Sequence, residues 1–262
     1  MPKTKKSCTF AKKFTPPSMK GKLQKMIQDV LGLMPDKVNI IPHTIPLETQ
    51  LAYFETSKKV KENINYEVVL QNTSWLFDEN VSIADKKWLL AQLASISKPE
   101  AYRIIEKFLS QASDELLDWA KIALIESRTL LESDLLDENQ IIVSSGLGGD
   151  DYRLRYFIVF KKNDETPFSE SQIKLIEIET QAMLDKNDGI LEEFHKKTNY
   201  VAMVILLPFN ADLKKIIIQI IDACNQYGSF LHNKFLITNV KKLSHNEIIH
   251  FLKKYDKNEP QG

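Results

Sequence analysis

Two arginines at alternate positions, Arg153 and Arg155, follow the run Gly146-Leu147-Gly148-Gly149, and here the residue types most invite small-ligand chemistry. Glycines let backbone amides come close to an anion. On a strand starting at Tyr152 the two guanidiniums share one face, where they could hold a carboxylate, a phosphate or an RNA backbone. Strand-like residues rather than a helix follow the glycines, so no helix N-terminus adds its amides to such a site. The plain alternatives are a turn built on the glycines and an ion-pair ladder of Arg153 and Arg155 with Asp150, Asp151 or helix carboxylates. Gly146, Gly148, Gly149, Arg153 and Arg155 are the expected anion or ligand site, if the chain has one.

A second candidate is electrostatic. Residues 1–25 carry Lys3, Lys5, Lys6, Lys12, Lys13, Lys20, Lys22 and Lys25 with no acid, a formal +8. The chain as a whole balances 35 basic against 35 acidic residues, so the remainder carries −8. Phe10 and Phe14 lie among these lysines, and lysines that displace counterions beside aromatics that stack on unpaired bases suit RNA. A solvated, solubilising tail is the alternative. Residues 78–138 hold thirteen acidic and seven basic side chains. A surface of that sign repels nucleic acid and attracts a basic protein or the chain's own arm.

Other chemistries find little purchase. No two of His43, His195, His232, His245 and His250 stand four apart on a helix, and Cys8 and Cys224 lack metal-ligand spacing, so no metal and no cofactor is expected. Ser144-Ser145-Gly146 lacks the leading glycine of a nucleophile elbow. Two free thiols, no apolar signal core before Pro16-Pro17 and a longest apolar run (Tyr200 to Phe209) of half a membrane span give the expectation of a cytoplasmic protein without a membrane partner.

The elements that must position these residues fall into two regimes. After the arm, Leu23, Met26, Ile27, Val30 and Leu31 repeat at helical spacing until Gly32 and Pro35. From Pro46 to Asp137 the pattern is helical, with helices expected at Leu47–Glu62, Tyr66–Phe77, Ala84–Ser95, Glu100–Ala112 and Asp114–Glu132. Trp75, Trp88 and Trp119 fall on successive helices as packing residues. From Gln140 the period changes: Ile141–Ser145 and Tyr152–Phe160 read as an antiparallel hairpin. A helix from Ser169 to Lys186, a strand at Val201–Leu207, a helix from Asn210 to Tyr227, a strand at Lys234–Val240 and a last helix from Ser244 follow.

The stretches Asp85–Ala94 and Glu115–Leu124 resemble HEAT-type helical repeats, which implies a protein-binding surface without catalysis. The fold class expected is α+β: a basic arm at 1–25, a solenoid-like helical domain at 26–137, and a smaller α/β sandwich with a mixed sheet at 138–262. The function expected is a non-enzymatic cytoplasmic adaptor, its helical domain docking a protein and its arm contacting RNA, possible on the ribosome, with homo-oligomers also allowed. The rival is an enzyme or small-ligand-binding protein with its site in the C-terminal domain.

Overall fold

A computed structural model describes residues 36–257. The basic arm, with its nucleic-acid expectation for Lys3 to Lys25, and the helix expected from Met19 lie outside the described residues.

The chain enters through β1 (Lys37–Ile40) and builds a helical half from α1 (Leu47–Glu62), α2 (Tyr66–Gln71), a 3-10 turn at Thr73–Phe77, α3 (Ile83–Ala94), α4 (Pro99–Leu109) and α5 (Asp114–Leu136). Local signals start these helices where expected. The Asn65 side chain accepts the amides of Glu67 and Val68, the Ser82 hydroxyl accepts that of Asp85, and Pro99 occupies the first turn of α4. Ala120 and Ala123 are fully buried on α5, and such small residues let α3 and α4 approach it closely. Trp119 is buried with its indole N–H donated to the Lys87 carbonyl at 2.9 Å, whereas Trp75 and Trp88 are nearly half exposed.

The solenoid expectation is corrected by the packing. In a solenoid each repeat touches only its neighbours, but here α1 packs on both α3 and α5, and α4 packs on the same two helices. The result is a bundle around α3 and α5. Its core holds one carboxylate: Glu126 accepts from Tyr53 Oη at 2.6 Å, Ser57 Oγ at 2.7 Å and Lys61 Nζ at 2.6 Å, tying α1 to α5.

The C-terminal half comprises β2 (Gln140–Val143), β3 (Gly149–Asp150), β4 (Arg153–Lys162), α6 (Glu170–Lys186), β5 (Ile190–Lys196), β6 (Tyr200–Pro208), α7 (Leu213–Asn225), β7 (Leu231–Thr238) and α8 (His245–Lys257). The long strands lie in the order β5-β6-β4-β7, every neighbour antiparallel, with short β3 also pairing β4. Two βαβ crossovers interleaved in this way make the split βαβ, or ferredoxin-like, arrangement. The sheet is therefore antiparallel and not mixed. Its helices α6 and α7 cover one face, where Ile158, Phe160, Val201, Met203 and Ile205 meet Ile176, Leu184, Ile216, Ile217 and Ile220. On the opposite face Phe157, Val159, Tyr200, Ala202, Val204 and Leu236 pack under Ile248 and Leu252 of α8.

Three further expectations are corrected. The strand β2 does not form a hairpin with β4; it pairs in parallel with β1, Lys37 opposite Gln140, across the chain's two halves. The edge strand β5 had no counterpart in the sequence reading. Helix α7 is capped by Asp212, whose carboxylate accepts the Lys215 amide, rather than by Asn210. The caps expected at Ser169 with Gln172 and at Ser244 with Glu247 are both formed. Among the described residues no helix is long and apolar enough to cross a membrane.

Candidate functional site

The glycine run lies at the joint between the halves, and its last three amides are already spent. Leu147 donates to the Asn239 carbonyl at 2.9 Å, Gly148 to Ser145 at 3.1 Å and Gly149 to Ile41 at 3.1 Å. From the helical half, Gln50 Nε2 donates to the Ser145 carbonyl at 3.0 Å. A side chain has no room here: a Cβ on Gly146 would sit 1.8 Å from the Val240 oxygen, and one on Gly148, where φ is +67°, 2.4 Å from the His43 oxygen. Gly146, Gly148 and Gly149 are glycines because three backbone segments converge on them, and the amides of Leu147, Gly148 and Gly149 are not free to cradle an anion.

The two arginines also have protein partners. Arg155 holds Glu192 in a fork, Nε–Oε2 at 2.5 Å and Nη2–Oε1 at 2.8 Å, and gives Nη1 to the Leu147 carbonyl at 2.8 Å. Arg153 stacks over the Tyr152 ring at 5.1 Å and reaches Asp188 at 3.6 Å, while the Tyr152 hydroxyl also donates to Asp188. The Arg153 Nε is buried without a hydrogen-bond partner. Both arginines are thus ion-paired, but with Glu192 of β5 and with Asp188 in the turn before it, rather than with Asp150, Asp151 or a helix carboxylate.

The structure assembles a different constellation on the sheet face beside α8, from residues that the sequence reading left as solvated or capping. His195 on β5 stands opposite Ala202 on β6, which places its ring on the face that Tyr200 shares. Its Nε2 lies 3.1 Å from Glu193 Oε2, and the other Glu193 oxygen takes an ion pair from Lys242. A β-bulge between Leu191 and Glu193 rotates Glu193 toward that partner. Those contacts, the one with Lys242 first and the one with His195 second, hold the Glu193 carboxyl below its ordinary range. One turn of chain further, the Tyr200 hydroxyl meets His245 Nδ1 at 2.8 Å, and the rings stack with centroids 5.8 Å apart. Burial pushes the Tyr200 phenol up.

This arrangement has the parts of an acid–base site. A carboxylate orients an imidazole that is itself exposed, a lysine fixes the carboxylate's charge, and a tyrosine–histidine pair anchors the start of α8 alongside. Lys196, the last residue of β5, stands opposite Val201 and so alternates to the other face, while Lys197 follows on the exposed turn and Lys241 lies next to Lys242. Lys241 is paired at 2.6 Å with Glu247, whose carboxyl it holds, with the Ser244 amide and hydroxyl, down to about 2. Residues 231–257 carry six lysines against two acids. At the opposite edge of the sheet from β5, between β7 and α8, a groove of about 380 Å³ opens, lined by Phe235, Leu236, Ile237, Thr238, Leu243 and Phe251. Among the described residues no three His, Cys, Asp or Glu side chains converge as metal ligands.

Helical spacing could not have revealed this cluster. Glu193 and Lys242 lie 49 residues apart, and the pattern sought for histidines was the i, i+4 pair of a helix. The one sequence signal present was a count, since four of the five histidines, His195, His232, His245 and His250, fall at or after residue 195.

No family model matches this chain, and no curated protein matches it either. Among solved structures, a protein of Deinococcus radiodurans R1 described as a transposase shares 10% identity, covering 42% of this chain and 95% of its own, at a TM-score of 0.34. A tyrosine transposase associated with REP sequences, solved bound to a REP hairpin, shares 7% identity over 40% of this chain and 68% of its own, at a TM-score of 0.30. Scores of this size assign no family. Both are described as transposases and neither as a HEAT-repeat or RNA-binding adaptor; with the helical half packed as a bundle, the expectation of a HEAT-like, RNA-tethering adaptor is corrected, and its rival, a site in the C-terminal domain, is taken up below.

Proposed function

We propose that the protein is an enzyme, that its reaction is run in the C-terminal domain on the face beside α8, and that its substrate is a phosphodiester-bearing nucleic-acid strand. The observation that carries this reading is the Glu193–His195 dyad with Lys242 on the carboxylate, on a sheet face whose far edge opens an aromatic-lined groove. In this reading His195 moves a proton at the reacting oxygen through its ring nitrogen, and Glu193 keeps the ring in place. Lys197 and Lys241 hold the strand by its phosphates, and Phe251 offers a ring face to unpaired bases. These lysines contrast with the acidic helical half, so a polyanion has one favourable approach.

The test is to incubate the full chain with end-labelled single-stranded and hairpin oligonucleotides, DNA and RNA, with and without Mg²⁺ or Mn²⁺, and to resolve products on denaturing gels. Product is expected from the wild type, with a loss of at least about tenfold in His195→Ala, the lower side of what general acid–base catalysis contributes. Lys242→Ala should lower turnover while leaving the melting temperature within a few degrees. Wild-type rates from both variants, or strands that the wild type neither binds nor alters, would overturn the reading.

A further inference from the structure

Strand β7 has β4 on one side and, among the described residues, no strand on the other. Such an edge turns every second backbone N–H and C=O outward, and folds commonly blunt it. The first half of β7 is blunted in this way. The Asn225 side chain of α7 accepts the Leu231 amide and donates to the Leu231 carbonyl, both at 2.9 Å. The Lys234 amide donates to His232 Nδ1 at 2.9 Å, and the ladder to β4 is irregular between Phe160 and Lys162. From Phe235 to Thr238 the ladder is regular, Phe160 opposite Phe235 through Phe157 opposite Thr238. Among the described residues no hydrogen bond reaches that stretch of backbone from outside the sheet.

The groove between β7 and α8 lies along the same stretch. Leu236 belongs to the layer under α8, and Phe235 and Ile237 pack on the opposite layer, yet all three line one groove. It therefore follows the open edge of the strand, with Leu243 and the 39% exposed Phe251 as its other wall. A groove between an edge strand and a helix on the same sheet suits an added strand, whose backbone extends the ladder while alternate side chains enter the groove. Four residues of open edge, about 14 Å at the rise of a strand, match a short extended segment.

Charge selects the guest. Residues 231–253, which supply both walls, hold Lys234, Lys241, Lys242 and Lys253 against the single acid Glu247. With Glu193, the partner of Lys242, added to the count, the balance remains basic. A second copy would set two such walls against each other. A nucleic-acid strand matches the charge but has no ladder of amides and carbonyls to pair with the edge, whereas an acidic polypeptide matches both. We propose that the open edge of β7 binds an acidic, extended segment of a partner polypeptide as an added strand, its apolar side chains entering the groove against Leu243 and Phe251. The Glu193–His195 pair lies at the opposite edge of the sheet and takes no part. Phe251 is covered in this complex, so a seated peptide and an unpaired base on that ring exclude one another.

Fluorescence anisotropy of the full chain with a labelled eight-residue peptide alternating valine with glutamate tests this. Saturable binding is expected, with a loss of at least about tenfold in Phe251→Glu, the lower side of what burying one large apolar side chain contributes. N-methylation of the peptide, which removes its ladder donors, should weaken binding to the wild type as much. Hydrogen exchange should slow at alternate amides of Phe235–Thr238 when the peptide is added, while the helical half keeps its exchange and a melting temperature within a few degrees reports that Phe251→Glu is folded. Absence of saturable binding, equal affinity for the N-methylated peptide, or tighter binding of the analogue with lysine in place of glutamate would overturn the proposal. An oligonucleotide that slows those amides where the peptide does not would overturn it in favour of nucleic acid, and protection that rises with protein concentration alone would do so in favour of a second copy.

Discussion

Gly148→Ala separates a joint from an anion site. Gly148 has φ +67°, so an alanine there first meets the left-handed penalty of about 1–2 kcal/mol that an L side chain carries. Its Cβ would then lie 2.4 Å from the His43 oxygen, 2.8 Å from the His43 carbon and 2.9 Å from the Ile41 oxygen, all backbone atoms of the segment leading into α1. Forcing them apart adds about 1–3 kcal/mol on the scale of an overpacked core. The sum of about 2–5 kcal/mol is a large part of the 5–15 kcal/mol that holds a typical fold, and it should lower the melting temperature by about 5–15 °C. Gly228→Ala is the control. That residue also has positive φ, at +116°, but nothing stands within 4 Å of a Cβ there, so only the backbone strain should be felt. Thermal and urea unfolding of both variants, each with and without 10–50 mM phosphate or sulfate, gives the comparison. Gly148→Ala as stable as Gly228→Ala would refute the steric argument. Anion stabilisation of the wild type that vanishes in Gly148→Ala would restore the phosphate-loop reading of these glycines.

Three other groups of the fold should respond in ways set by their partners. Glu126→Ala should cost about 2–5 kcal/mol, because it strands the buried Tyr53 and Ser57 hydroxyls around an empty position while the exposed Lys61 ammonium turns to water, and chemical denaturation of that variant against Glu126→Gln, which keeps an acceptor, checks it. Glu247 has a folded pKa depressed from 4.5 to about 2, so its contribution is present above pH 4.5 and is lost as pH falls toward 2; the melting-temperature gap between wild type and Glu247→Gln should close over that window and stay constant above it. The Cys224 thiol is buried and pushed up to about 12 by burial first and by Glu179 second, so a thiol reagent at pH 8 should modify it only once the chain is unfolded, as peptide mapping would show.

The helical half was legible nearly residue by residue, and the reason is local. Leu47–Glu62 begins behind a proline, Asn65 and Ser82 carry their own cap oxygens, and Pro99 fixes a first turn. What those signals do not carry is the order of packing. The same apolar stripes on α1, α3 and α5 serve a stack or a bundle equally, and the choice is made by contacts such as Tyr53 to Glu126, 73 positions apart. The C-terminal half shows the complementary failure. Strand β5 reads ILEEFHK, its alternation broken by the bulge at Glu193 and its edge position leaving much of it exposed, so neither the burial pattern nor the period announces a strand. β2 was placed beside its nearest strand in sequence, whereas it pairs with β1 roughly a hundred residues upstream, a pairing with no local signature.

The joint and the candidate site are linked through one residue. Leu147 is fully buried in the apolar layer with Phe157, Val159 and Ala202, on the sheet face that α8 covers, and its amide is held by Asn239 just before the segment that carries Lys241 and Lys242. Its carbonyl accepts from Arg155 and, across the joint, from Thr44 at 3.4 Å. The helical half, the sheet and the crossing segment thus meet at a single peptide whose three polar contacts point to three different parts of the chain. A shift of the helical half must either break these bonds or carry the 239–244 segment with it, and with that segment goes Lys242, the partner of Glu193. The glycines on either side of Leu147 allow the backbones to close to hydrogen-bonding distance, and their fixed geometry positions the lysine from which the Glu193–His195 pair takes its charge.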